Sequence, residues 1–138
     1  MAINLEKGQR INLEKSNGTK LQNICVGVNW GAIEKKGFFG TKKEPVDLDA
    51  SCAIYDDKKN HIDSVNFRKL ISNDRAIKHS GDDLTGDLNG DDGLDNEVIT
   101  LDFSQLTPAA KHVAFFINSF RGQDFKDIPF ASIRIYEG

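Results

Sequence analysis

Seven carboxylates, Asp82, Asp83, Asp87, Asp91, Asp92, Asp95 and Glu97, fall in the stretch GDDLTGDLNGDDGLDNE between Gly81 and Glu97, which contains no Lys or Arg. Two carboxylates about 4 Å apart repel by ~1 kcal/mol in bulk water and by ~4 kcal/mol at a surface-like dielectric. The interleaved glycines let the backbone turn with positive φ, which draws the charges together. A hard divalent cation resolves that conflict. Calcium takes roughly six to eight oxygens from carboxylates, Asn side chains and backbone carbonyls, and an Asp/Asn/Gly loop offers all three. A solvated acidic loop without a site is the alternative for such a charge run.

The segment has calcium chemistry without the EF-hand register. Counting from Asp87, positions one, three and five are Asp87, Asn89 and Asp91. Position six, which must be glycine, is Asp92, and position twelve, which should be a bidentate Glu, is Val98. No amphipathic helix flanks the loop, and the nine-residue repeat of a calcium β-helix is missing from the sequence. Upstream, Asp47 and Asp49 alternate with Val46, Leu48 and Ala50, so a strand would place both acids on one face. They are either further ligands from a distant part of the chain or ordinary solvent-facing acids.

Other reactive arrangements are weaker. His61, His79 and His112 are too scattered for a helix-borne metal pair. His79, Ser80 and Asp82 lie too close in sequence to converge on one reacting atom, so a locally hydrogen-bonded histidine is expected there. No base or nucleophile accompanies the acids, which argues against an enzyme such as a phosphoesterase. The GFFGTKK stretch lacks phosphate-loop spacing. Its Phe38 and Phe39, set among lysines, either touch an acidic partner or membrane surface or fold back onto the domain; folding back is the expectation.

The elements that must hold these residues are strands. LQNICVGVNW (Leu21 to Trp30) is apolar and β-rich. VDLDASCAIY (Val46 to Tyr55), Ile62 to Phe67, VITLDF (Val98 to Phe103), VAFFINSF (Val113 to Phe120) and ASIRIY (Ala131 to Tyr136) follow, separated by Gly/Asp/Asn turns. Near the start, Asn4-Leu5-Glu6-Lys7 and Asn12-Leu13-Glu14-Lys15 echo each other around Gly8 and read as two short strands. Thr107-Pro108-Ala109-Ala110-Lys111 alone has a helical opening, with an N-cap hydroxyl and Pro at the first position. The pattern predicts an all-β, antiparallel β-sandwich with at most one or two short helical turns.

The 138 residues suit one domain with a real core. Net charge is −3. Without the seven loop acids, the 21 acidic residues fall to 14 against 18 basic ones, a remainder of +4, so the acidity is local. Nothing in that balance argues for nucleic acid. No apolar run reaches membrane-span length, and MAINLEKGQR lacks a signal-peptide core. Cys25 and Cys52 sit in apolar runs and read as small buried hydrophobes of a reducing, cytoplasmic compartment rather than as a disulfide or a zinc site.

The string HSGDDLTGDLNGDDGLDNEVITLDF, together with VDLDASCAIY, resembles the tellurium-resistance TerD family of bacterial stress proteins. The NLEKGQRINLEK opening, the VGVNW strand, TPAAKHVAFF and the closing FRGQDFKDIPFASIRIYE agree, so the resemblance covers nearly the whole chain. It implies a β-sandwich that binds calcium, two ions in neighbouring sites, and a part in resistance to tellurite, other chemical stresses and phage. It also implies assemblies with other stress-resistance proteins that meet membrane partners, and no established enzymatic activity. Carried over by position, DLDAS supplies Asp47 and Asp49, GDDLTG supplies Asp82, Asp83 and Thr85, and the acid two residues on is Asp87. The GDD turn supplies Asp91 and Asp92, and Glu97 is the closing acid.

Three departures accompany the resemblance. Gly31 follows Trp30 where many members carry Asp, so a ligand there is lost. GDDGLDNE is longer than the usual GDDE, which makes Asp95 a spare acid. Members usually continue by several strands past the segment matched by IRIYEG, so residues 1–138 are expected to lack the family's C-terminal strands. An open sheet edge and self-association are the corresponding expectation. The leading function is therefore a calcium-binding, non-enzymatic protein of a stress-resistance system. The alternative is a calcium-dependent membrane- or ligand-docking module in which the ion bridges protein and phosphate or sugar.

Overall fold

The computed structural model describes residues 7–10, 12 and 18–138. Both echo segments expected to form N-terminal strands lie largely outside these residues. The described chain forms nine strands: β1 (Asn23–Trp30), β2 (Ile33–Gly37), β3 (Gly40–Glu44), β4 (Leu48–Tyr55), β5 (His61–Val65), β6 (Ile77–His79), β7 (Glu97–Asp102), β8 (His112–Ser119) and β9 (Ala131–Glu137). The fold is all-β, as the alternating segments predict.

Two antiparallel sheets face each other. One has the order β6-β7-β1-β9, the other β5-β4-β8, and β2 and β3 form a separate hairpin. Alternation fixes the faces. Ile24, Val28 and Trp30 of β1 meet Leu48, Ala50, Cys52 and Ile54 of β4, with Ile77, Ile99 and Leu101 completing the core. Val113, Phe115 and Ile117 of β8 pack against it from the side. On β9, Ile133 pairs with Val28 and Ile135 with Val26, yet both isoleucines stay about half exposed (48% and 47%) at the sheet's edge.

Three expectations are corrected. The stretch 107–111 is not a helix: Ala110 N–H returns to Thr107 O at 3.0 Å in one turn. Lys111 N–H then donates to Tyr55 O at 2.9 Å, committing the chain to β8 before a helix can nucleate. The one helical turn among the described residues is a 3-10 turn at Phe125–Asp127. The stretch around Phe38 and Phe39 is not a folded-back loop but the tip of the β2–β3 hairpin, with both rings 97% exposed. A two-residue turn is too short to curl back onto the sandwich. Cys52 is buried, but Cys25 lies on the outer face, half-buried and opposite Thr100; both thiols are free.

Candidate metal centre

The acidic segment is a long excursion between the paired strands β6 and β7, laid along one end of the sandwich. Backbone bonds stitch it down. Ser80 N donates to Val98 O (2.8 Å), Val46 N to Thr85 O (3.2 Å), Ala32 N to Asp87 O (3.0 Å), Asp87 N to Trp30 O (2.9 Å) and Asn96 N to Val28 O (2.8 Å). The loop is thus bound to the end of β1 and to the entry of β4. Gly86, at φ +67°, lets the backbone pass the Trp30 indole, whose Nε1 donates to Val46 O at 2.7 Å. A Cβ at Gly86 would stand 2.3 Å from that nitrogen.

Two carboxylate clusters result. Asp47, Asp49 and Asp82 bring one oxygen each within 4.8 Å of one another, and so do Asp87, Asp91 and Asp92. In the inner cluster Asp47 and Asp49 are 4% and 2% exposed. They are not the solvent-facing strand acids that alternation alone allows, because the acidic loop crosses their face of β4. Asp47 Oδ1 and Asp49 Oδ2 are buried and have no hydrogen-bond donor among the described residues. Buried carboxylate oxygens without partners are costly. Burial, and then the neighbouring charge of Asp47, pushes the Asp49 carboxyl up to about 6. Asp47 is raised by burial and by Asp82, and Asp82 by burial and by Glu97.

The outer cluster is more open, and its Asp87 and Asp92 line a concavity with Asn89 and Asn96. Asp91 Oδ1 accepts from Gly93 N (2.8 Å) and from Asn29 Nδ2 (2.9 Å), and Asp87 Oδ1 accepts from Asn96 Nδ2 (2.8 Å). Asn29 Oδ1 is buried without a donor among the described residues. Neither Asn29 nor Asn96 stands out in the sequence as a site residue. The only signal at Asn29 is its place on β1 beside Trp30, on the face opposite the core.

The remaining sequence candidates fall outside the two clusters and brace them. Asp83 Oδ1 accepts from Thr85 N (3.0 Å) and Gly86 N (2.9 Å), closing the turn, and Thr85 Oγ1 donates to Gly86 O (3.1 Å). Glu97, fully buried, accepts from Ala50 N at Oε2 (2.8 Å) and from Asp83 N at Oε1 (3.1 Å). His79 Nε2 lies 3.3 Å from Glu97 Oε2 and 3.2 Å from Ala50 O. Gly81 N donates to His79 Nδ1 at 2.9 Å, so the proton of the neutral ring sits on Nε2. Only the Gly81 contact is local: the buried ring also reaches Ala50 of β4 and Glu97 of β7, so His79 is a bridge inside the fold rather than the locally bonded histidine its sequence neighbours suggest. Asp95 is held by the Arg134 guanidinium through Nε (3.0 Å) and Nη2 (2.8 Å) and is not in either cluster.

With this geometry in place, comparison with known proteins settles the family. The TerD domain profile matches residues 1–138. The chain belongs to the TerD domain family. It is 38% identical over 138 residues to tellurium resistance protein TerZ of Serratia marcescens, covering 98% of this chain and 69% of that protein. It is 36% identical over 151 residues to stress response protein SCP2 of Bacillus subtilis strain 168, covering 99% of this chain and 72% of that one. A solved homologue of the telluride resistance protein TerD from Streptomyces coelicolor A3(2) superposes with a TM-score of 0.67 at 21% identity, over 86% of this chain and 67% of that one. That likeness carries the TerD fold alone. Among the described residues no helix is long and apolar enough to cross a membrane.

Proposed function

We propose that this TerD-family chain is a non-enzymatic calcium-binding protein of a tellurite and chemical stress response, holding two ions at one end of the sandwich. The observation that carries the reading is the pair of buried, unpartnered oxygens at Asp47 Oδ1 and Asp49 Oδ2, which face a third carboxylate from Asp82. A cation converts that mutual repulsion into attraction and supplies the partner each oxygen lacks. The inner ion would be held by Asp47, Asp49 and Asp82. The outer ion would be held by Asp87, Asp91 and Asp92, with Asn29 holding Asp91 in place through Nδ2. Glu97, Asp83 and Thr85 position the loop. The names of the relatives, tellurium resistance and stress response, support the biological setting, and two free thiols suit a reducing cytoplasm.

The enclosure of Asp47 and Asp49 suits an ion that holds the fold together rather than one that bridges to a ligand. The exposed Asp91 and Asp92 leave the outer ion room for a phosphate or sugar oxygen, and this one feature favours the docking alternative. Calorimetric titration of metal-stripped protein tests the main reading. Two calcium events are expected, each much tighter than its magnesium counterpart, because magnesium demands near-octahedral geometry and sheds water reluctantly. Equal affinity for both ions, or no heat with either, overturns it.

A further inference from the structure

We propose that the β2–β3 hairpin docks this protein on an anionic lipid bilayer, with Phe38 and Phe39 entering the interfacial layer and Lys35, Lys36 and Lys42 meeting lipid phosphates. The proposal is independent of the calcium reading. The hairpin pairs with neither sheet, and apart from Ile33 at its root its residues are exposed or nearly so. Gly37 pairs with Gly40, which leaves Phe38 and Phe39 as the whole turn. Turn chemistry calls for Gly, Asn, Asp, Ser or Pro at such positions, not for two large apolar rings. The rings lie 5.3 Å apart, edge to face, and touch water almost completely. Their apolar surface therefore contributes nothing to this fold, and exposed apolar clusters of this kind mark interaction sites.

The charges are graded along the hairpin. Lys35 and Lys42 stand directly opposite each other close behind the tip, and Lys36 lies beside them on the other face opposite Thr41; Lys43, one pair farther back, faces Glu34 and donates to Asn89 Oδ1 at 3.4 Å. The acids Glu34 and Glu44 lie at the root. Like charges directly across a ladder repel, and Lys35 is relieved by an ion pair to Glu44 at 3.1 Å. An apolar tip, a collar of three lysines and acids that begin only behind that collar match the layers of an anionic bilayer: hydrocarbon boundary, phosphate, water. Each lysine at such a surface changes affinity on the order of fivefold. A protein groove lined with acids would accept the lysines, but nothing about a groove requires the charges to be graded with depth.

The test is flotation with vesicles of phosphatidylcholine alone and of phosphatidylcholine with phosphatidylglycerol, in chelator and at low salt, so that calcium plays no part. Binding to the phosphatidylglycerol vesicles alone is expected. The Phe38→Ser/Phe39→Ser variant should lose about tenfold or more, and Lys35→Gln/Lys42→Gln a comparable factor, with melting temperatures unchanged. In a Phe38→Trp variant, emission should shift to the blue when those vesicles are added. Failure of the natural chain to bind either vesicle overturns the proposal and leaves the hairpin to a protein partner. Undiminished binding by the double Phe variant, or binding only with calcium, overturns it in favour of a surface or ion-bridged contact.

Discussion

Glu97 Oε2 accepts the backbone N–H of Ala50 at 2.8 Å, tying β7 in one sheet to β4 in the other. β5 pairs with β4 only from Cys52 onward, so the stretch carrying Asp49 and Ala50 has no ladder partner on that side. Glu97 supplies the acceptor that a strand would have supplied. The result is a fixed β4 backbone directly beneath the inner carboxylate cluster.

Replacing Glu97 therefore damages the frame before it touches a ligand. Glu97→Ala leaves the N–H groups of Ala50 and Asp83 without their acceptor, and each buried unsatisfied group costs about 1–3 kcal/mol. Urea unfolding in chelator should show a loss of roughly 3–5 kcal/mol, with Glu97→Gln milder. A loss below about 1 kcal/mol would mean that Glu97 is not bracing β4.

Taking one carboxylate from each cluster separates ligands from scaffold. Binding to the native state adds RT ln(1 + [L]/Kd), about 2.7 kcal/mol at a hundredfold excess over Kd for one site. The Asp82→Asn/Asp91→Asn variant should keep its metal-free melting temperature or gain slightly, since like charges are removed. Its calcium-dependent rise in melting temperature should nearly vanish. A full rise would show that the ions bind elsewhere.

The raised carboxyl of Asp49 makes a prediction about pH in metal-free protein. Its ordinary value is 3.8 and burial lifts it to about 6, so the folded state holds the proton more tightly than the unfolded chain. Between those values the folded state binds more protons, so stability falls as pH rises from about 4 to about 6. Asp47 and Asp82 are shifted in the same direction and reinforce the slope. Melting in chelator should decline across that window, and saturating calcium should flatten or reverse the decline. Asp63 and Asp74, lowered by the hydrogen bonds they accept, tilt stability the other way, so the decline is read against an Asp49→Asn variant; the same slope in both proteins contradicts the like-charge cluster.

Gly86 tests how the loop is seated. Gly86→Ala would press a methyl to within 2.3 Å of Trp30 Nε1 and would force a residue with a side chain to φ +67°. A destabilisation of roughly 1–3 kcal/mol is expected, with Trp30, the sole tryptophan, shifting its emission to the red as its bond to Val46 O breaks. Calcium affinity should fall together with it, because Asp83 and Asp87 flank that turn. Unchanged emission would show that the loop does not rest on the indole.

Strands β1, β4, β7 and β8 are legible in the sequence because alternating apolar residues leave few other ways to bury one face; β9 shows the same alternation but buries neither face. The β2–β3 hairpin was not legible: EKKGFFGTKKEP has no apolar alternation, and its pairing is read from the backbone ladder alone. The opening of 107–111 carries every local mark of a helix, and the pull of β8 onto Tyr55 overrides it.

The sequence by itself determined that acids, glycines and asparagines are concentrated between Gly81 and Glu97, and that Asp47 and Asp49 share a strand face, since composition and the two-residue period of a strand are local properties. The tertiary structure decided which acids meet. Asp82 joins Asp47 and Asp49 from a distant part of the chain, while Asp95, indistinguishable in type from its neighbours, is taken by Arg134. Burial of Asp47 and Asp49 depends on the loop crossing above them, and exposure of Phe38 and Phe39 on a turn too short to fold back. Both are matters of which surfaces lie against each other, which residue spacing along the chain does not encode.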